Sequence, residues 1–391
     1  MTSTRRLTVL RAARLFDGAG MVADPTVVLD GGTIVGVGAA VGTTVPDVEV
    51  VDLGDVTLLP GLVDPHVHLA FDASADPVGA LAARSDAEVT AQMTAAALRT
   101  LRAGVTTVRD LGDRGYLSLA LRGRPDLPTI VAAGPPITTV GGHCHFLGGA
   151  TEATEDAVRA AVRERADRGC DVVKIMASGG TLTPGSAQHQ PQFGAAELAA
   201  AVDEAHRHGL PVTAHAHATA AIIGALAAGV DGLEHVSFWT EDGVDDRPDL
   251  VTEIVARQVV VGATMGVVPV PGAVPPPQVL ARLPRIRATL TRFVRSGALL
   301  VAGTDSGIGP PKPHSSLPYA VPQLIGLGMS PLDALRTVTA VAAGVCGLAD
   351  RKGRLAPGYD ADLVAVAGDP LADPAALLDV LAVYKSGRVV S

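Results

Sequence analysis

From about Leu58 onward the sequence alternates apolar runs of four to six residues with Ala-rich stretches of ten or more, and it does so eight times. Short apolar runs separated by helical text are the pattern of repeated β-α units around a parallel sheet. The runs end near His66, Arg109, Ala133, Ile175, His215, His235, Gly262 and Gly303, with helical periodicity over 86–103, 155–168 and 195–208 between them. Eight such units predict a closed (β/α)8 TIM barrel, which takes roughly 250 residues. The chain has 391, so a second, smaller body is required.

That body is legible at the two ends. Residues 7–10, 27–29 and 34–37 are short β-branched runs punctuated by an Asp30-Gly31-Gly32 turn, and the same hairpin grammar returns over 362–367, 380–384 and 388–390 around Lys385-Ser386-Gly387. The expected architecture is α/β: residues 1–57 and 352–391 build a small β-sandwich domain from both termini, flanking a barrel over 58–351. The proline-rich stretch 269–277 is the most irregular loop and a candidate lid.

Composition narrows the function. Lys plus Arg number 31 against 40 Asp plus Glu, a net charge of -9, and no basic cluster offers a footprint for a phosphate backbone, so nucleic acid is not an expected partner. Cys144, Cys170 and Cys346 are odd in number and far apart, which argues against a disulfide framework or a CxxC zinc site. Arg11 and Arg14 interrupt the first apolar run before a signal-peptide core can form, and no stretch of about 18 uncharged apolar residues follows. A cytoplasmic protein without a membrane span, acting on a small molecule, is the expectation.

The sharpest local signal is Pro60-Gly61-Leu62-Val63-Asp64-Pro65-His66-Val67-His68. Side chains two apart on a strand share a face, so His66 and His68 can hold one metal ion. Lys174 stands inside the apolar run Val172-Val173-Lys174-Ile175-Met176, where an ammonium without a partner is costly. Three more runs end in donors: His215 in Thr213-Ala214-His215-Ala216-His217, His235 in Leu233-Glu234-His235, and Asp305 in Gly303-Thr304-Asp305-Ser306. Barrel active sites are assembled at the C-terminal ends of the strands, where these residues fall.

On these segments, together with VRDLG, GGH, VVKIMASGG, AHAHA, EHVSF, GTDSG and PGYDADLV in the same order along nearly the whole chain, the sequence resembles the amidohydrolase superfamily, and within it the imidazolonepropionase-like and Xaa-Pro-dipeptidase-like branch. The resemblance implies a binuclear centre. His66, His68 and Asp305 would bind one divalent ion, His215 and His235 the other, and Lys174, carboxylated by carbon dioxide to a carbamate, would bridge them. Donors without thiolate suit zinc, with manganese, cobalt and iron as alternatives. The implied reaction is hydrolysis of an amide bond in an N-acyl amino acid, dipeptide or cyclic amide by a hydroxide bridging the two ions, with Asp305 as general base and acid.

His143, after the glycines of Gly141-Gly142-His143, is implied to touch substrate, and His217 to form pocket wall. Ser178 and Gly179 could bring backbone amides to a ligand. Arg109 could bind a substrate carboxylate or pair with Asp110 or Asp113. Hydrolysis of an ester or lactone on the same centre is the alternative reaction, a non-catalytic barrel protein the alternative class, and a homo-oligomer the expected assembly. The loop TPGSAQHQPQF and the proline-rich segment differ from the relatives, and such loops set specificity in barrels.

Overall fold

The computed structural model describes residues 7–38, 48–272 and 274–390. The first six residues and Ala273, within the candidate lid, lie outside that description. Eight strands build two all-parallel sheets: β1 (Leu62–Val67), β2 (Val105–Asp110), β3 (Thr129–Ala132), β4 (Val173–Met176), β5 (Val212–Ala218), β6 (Gly232–Trp239), β7 (Val260–Gly262) and β8 (Leu300–Val301). β1 to β3 form one sheet and β4 to β8 another, each in sequence order. A parallel bridge ties Ile137, beyond β3, to Ile175 of β4, and a second ties Val67 of β1 to Ser306, beyond β8. Both edges of the three-stranded sheet are thus joined to edges of the five-stranded one.

β1, β2 and β4 are buried at every position, as parallel strands covered on both faces must be. The intervening helices start where their sequences say they should. In Asp86–Arg102 the Ser85 side chain accepts from the Glu88 amide while the Glu88 side chain reaches back to the Ser85 amide, a capping box. The helix then buries Val89, Met93, Ala96, Ala97 and Leu101 on one stripe, at the spacing of a core-facing helix.

The termini build two further sheets. Thr33–Val37, Thr26–Asp30, Leu7–Arg11 and Val48–Asp52 are neighbours in that order, and Arg388–Val389, Val380–Lys385, Leu363–Ala367, Val56–Pro60 and Arg14–Leu15 form the second. Leu10, Leu15, Val27, Leu29, Ile34, Leu58, Leu363 and Tyr384 share one buried core between them. The Lys385-Ser386-Gly387 turn is a two-residue hairpin loop with Lys385 opposite Arg388 and positive φ at both Ser386 and Gly387, the twist that a tight antiparallel hairpin favours.

One expectation is corrected. The apolar text leading to His66 reads as a single strand but is two: Val56–Pro60 runs antiparallel to Leu363–Ala367 in the terminal sheet, and β1 begins after Gly61. A Cβ at Gly61 would lie 2.2 Å from Thr106 Oγ1, so only glycine lets the chain pass from one sheet to the other there. Among the described residues no helix is long and apolar enough to cross a membrane.

Candidate metal centre

The ends of β1 and β8 are bound together by backbone. The Asp305 amide donates to His66 O at 2.7 Å and the His68 amide to Ser306 O at 3.0 Å. Asp64, wholly buried, accepts from the Thr304 amide at 3.0 Å, from Thr304 Oγ1 at 2.6 Å and from the His66 amide at 3.2 Å. Burial raises its pKa to about 7 despite those donors. Asp305 has a left-handed backbone, φ 59°, an uncommon conformation that a non-glycine residue holds only where its surroundings fix it. The result brings Asp305 Oδ1 to 3.4 Å from His66 Nε2 and 3.2 Å from His68 Nε2.

The remote nitrogens of these two histidines are already engaged. His66 Nδ1 donates to Glu234 Oε2 at 2.8 Å and His68 Nδ1 to Gly112 O at 3.0 Å, which leaves each Nε2 to face Asp305. Outer hydrogen bonds of this kind set the tautomer of metal-ligating histidines. Burial holds His66 down at about 4, so its imidazole is neutral near pH 7.

The ends of β4, β5 and β6 supply the second group. His215 Nε2 donates to Gly179 O at 3.1 Å, and its Nδ1 lies 3.0 Å from His235 Nε2. His235 Nδ1 meets Thr264 Oγ1 at 3.2 Å and His217 Nδ1 meets Ser237 Oγ at 2.7 Å. Burial lowers all three imidazoles, His217 to about 3. His235 and Val236 both have positive φ, 73° and 47°, and this breaks the alternation of β6. Glu234 and His235, adjacent in sequence, therefore both serve the interior.

These atoms fit divalent ions. Nitrogen and oxygen ligands about 2.0–2.2 Å from a tetrahedral ion stand about 3.3–3.5 Å apart, close to the separations found at Asp305. The ligand atoms of His66, His68 and Asp305 lie within 4.8 Å of one another, as do those of His215, His217 and His235. Lys174 Nζ is buried among them with no hydrogen-bond partner among the described residues. Burial lowers its pKa to about 8. A buried ammonium without an acceptor is unfavourable, and a chemical partner for this nitrogen is what the site lacks.

A small recess of about 60 Å³ opens over both groups, with Phe71, Cys144, Met176, Leu182 and Ile308 as its apolar wall. His143 and His217 line it. His143 Nδ1 has no hydrogen-bond partner among the described residues, and burial holds this imidazole down at about 4. A Cβ on Gly180 would come 2.3 Å from the His143 ring, so glycine there makes room for the histidine.

Three expected substrate contacts sit elsewhere. The Gly179 amide donates to Gln190 O at 3.0 Å and its carbonyl accepts from His215, while Ser178 Oγ accepts from the His217 amide at 2.9 Å. Both residues stand behind the histidines, and neither lines the recess. Arg109 pairs with neither Asp110 nor Asp113. Its Nε donates to Pro65 O at 2.7 Å and its guanidinium reaches Glu234 Oε1 at 3.2 Å. Sequence reasoning missed Glu234, whose only signal was a charge in an apolar strand, the signal that singled out Lys174. Burial pushes its carboxyl up, but His66, Lys174 and Arg109 hold it below the usual carboxylate range.

A sequence model described as the amidohydrolase family matches residues 57–390. The chain belongs to the amidohydrolase family. This amidohydrolase is 29% identical over 367 residues to ochratoxinase of Aspergillus niger, covering 85% of this chain and 75% of that protein. It superposes on a Xaa-Pro dipeptidase with methionine bound in its active site at a TM-score of 0.85 and 27% identity, covering 98% and 99% of the two chains. Phenylurea hydrolase B shares the fold at a TM-score of 0.84 and 24% identity, over 98% and 97% of the two chains. The amidohydrolase is an enzyme, a hydrolase of carbon–nitrogen bonds.

Proposed function

We propose that this amidohydrolase hydrolyses the amide bond of a small N-acyl amino acid, dipeptide or cyclic amide at a binuclear centre of two divalent ions, with zinc as the resident metal. The observation that carries the reading is Lys174 Nζ, buried without a hydrogen-bond partner among the described residues between one ligand group at β1 and β8 and another at β5 and β6. A carbamate formed with carbon dioxide turns that cation into an anionic ligand and removes the burial cost. His66, His68 and Asp305 would hold one ion and His215 and His235 the other, with the Lys174 carbamate as an added anionic ligand. We read the two parallel sheets, tied at both edges, as arcs of one (β/α)8 barrel that begins after Gly61 rather than at 58 and runs to 351. The terminal sheets around their shared core we read as a β-sandwich.

Bound divalent ions acidify water and polarise a carbonyl. The remaining work falls to side chains. Asp305, held below the usual carboxylate range by His66 and His68 despite burial, takes the proton of the attacking water and returns it to the departing nitrogen. His143, neutral and unpartnered at Nδ1, donates to the carbonyl oxygen as charge develops. The apolar wall at Phe71, Met176, Leu182 and Ile308 holds the substrate's hydrocarbon part. The ochratoxinase and Xaa-Pro dipeptidase likenesses support amides as the class.

The test is elemental analysis of chelator-free protein, followed by assay of the zinc- and manganese-loaded forms on N-acyl amino acids, Xaa-Pro dipeptides and lactams. Two ions per chain with turnover of an amide is the expected result. One ion per chain, or esters cleaved while amides are not, overturns the reading.

A further inference from the structure

The residue that orients the His66 ring comes from another strand, distant in sequence. Glu234, on β6, is 1% exposed, and all of its hydrogen bonds are internal: Oε2 accepts from His66 Nδ1 at 2.8 Å, and Oε1 accepts from Thr213 Oγ1 at 2.8 Å and from Arg109 at 3.2 Å. Arg109, on β2, is buried as well and also donates to Pro65 O at 2.7 Å. One guanidinium therefore grips the backbone immediately before His66 and the carboxylate that orients the His66 ring. Gly262, facing Glu234 across the β6–β7 pairing, clears the space: a Cβ there would lie 1.9 Å from Glu234 Oε2.

We infer that Arg109 and Glu234 form a positioning pair for His66, fixing its ring and its free Nε2 for metal binding, and that Arg109 belongs to this device rather than to substrate recognition. The inference rests on the reading of His66 as a ligand. A carboxylate accepting from the remote nitrogen of a ligating histidine fixes the ring and makes the ligating nitrogen more basic, and loss of such a partner typically weakens metal affinity about 10–100-fold. Arginine suits the post because its rigid fork serves two acceptors at once, which a lysine cannot match.

The experiment uses the full chain, stripped of metal and titrated with zinc against a chromophoric chelator, and loaded separately with cobalt(II) for its visible spectrum. Glu234→Ala is expected to weaken the tighter zinc site about 10–100-fold and to alter the cobalt spectrum, with Glu234→Gln, which keeps an acceptor for His66, weakened less. Arg109→Lys is expected to shift affinity in the same direction. Should Glu234→Ala fail to fold, Glu234→Gln and Thr213→Val carry the same comparison. A Glu234 variant that melts earlier when metal-free yet binds zinc as tightly as the parent, with an unchanged cobalt spectrum, makes the carboxylate merely structural and overturns the inference. So does an Arg109→Lys chain with a raised KM and unchanged zinc affinity, which returns the arginine to substrate. If the parent chain itself binds no zinc, the ligand reading fails together with the inference, so that failure is separable from the other two.

Discussion

The two halves of the candidate centre are built differently. At β1 and β8 the candidate ligands and Asp64 are all engaged: Asp64 ties Thr304 to His66, Glu234 and Gly112 O hold the remote nitrogens, and backbone bonds link Asp305 with His66 and Ser306 with His68. Across the recess, Lys174 Nζ and His143 Nδ1 are buried with no partner among the described residues. Buried polar atoms in native proteins are nearly always hydrogen-bonded. The first half is a pre-formed socket, whereas on the proposed reading the unpartnered groups of the other are the ones that would meet carbon dioxide and the substrate.

The largest break in this contrast is expected from Lys174→Ala. It should reduce bound metal from two ions to one and lower kcat/KM by more than the roughly 100-fold that the loss of an outer partner costs. Metal analysis and steady-state kinetics on the same preparation check both. Full metal content and activity in that variant would remove the carbamate from the scheme. His143→Gln is expected to lower kcat on an amide substrate about 10²-fold with metal content unchanged, and a loss of metal instead would move His143 into the ligand set.

Asp64→Asn tests the socket itself. It leaves the Thr304 hydroxyl and amide competing for one weaker acceptor, and should lower unfolding stability by about 1–3 kcal/mol, measured by urea denaturation of the metal-free chain. An unchanged midpoint would show that the β1–β8 junction is held by its backbone bonds alone. The smallest effect is one of pH. His66, His143 and His217 have imidazole pKa values lowered by burial, to about 4, 4 and 3, whereas an unfolded histidine titrates near 6.5. Between those values the unfolded chain binds more protons, so stability rises with pH there. In the metal-free protein these imidazoles contribute stability that is lost as pH falls from 6.5 toward 4, against the opposite contribution of Asp64 and Asp110, raised by burial to about 7, and His217→Gln should reduce the histidine part of the slope. A slope identical to the parent's would place His217 in a solvated environment.

Much of this was legible because strand and turn chemistry is local. The run-and-helix alternation marked all eight parallel strands, and spacing two apart put His66 with His68 and His215 with His217, as found in the recess. Lys174 was conspicuous because a charge inside an apolar run needs a reason. Arg109 was not assignable: its sequence context offered a substrate carboxylate or the neighbours Asp110 and Asp113, whereas its partners are Pro65 O and Glu234, distant in sequence. Glu234 stayed hidden because strict alternation turns it away from His235, and only the left-handed backbone at His235 and Val236 places both inside. The split of the first run at Gly61 was equally invisible, since it depends on how close Thr106 comes.

The sequence by itself determined the kinds of element, their order and the donor types at the strand ends, because hydrophobic period and side-chain chemistry act over a few residues. The tertiary structure alone decided which nitrogen of each histidine is free, where Arg109 spends its hydrogen bonds and which buried atoms are left unpartnered. Those are relations between strands distant in sequence, set by register and backbone strain, and no local pattern encodes them.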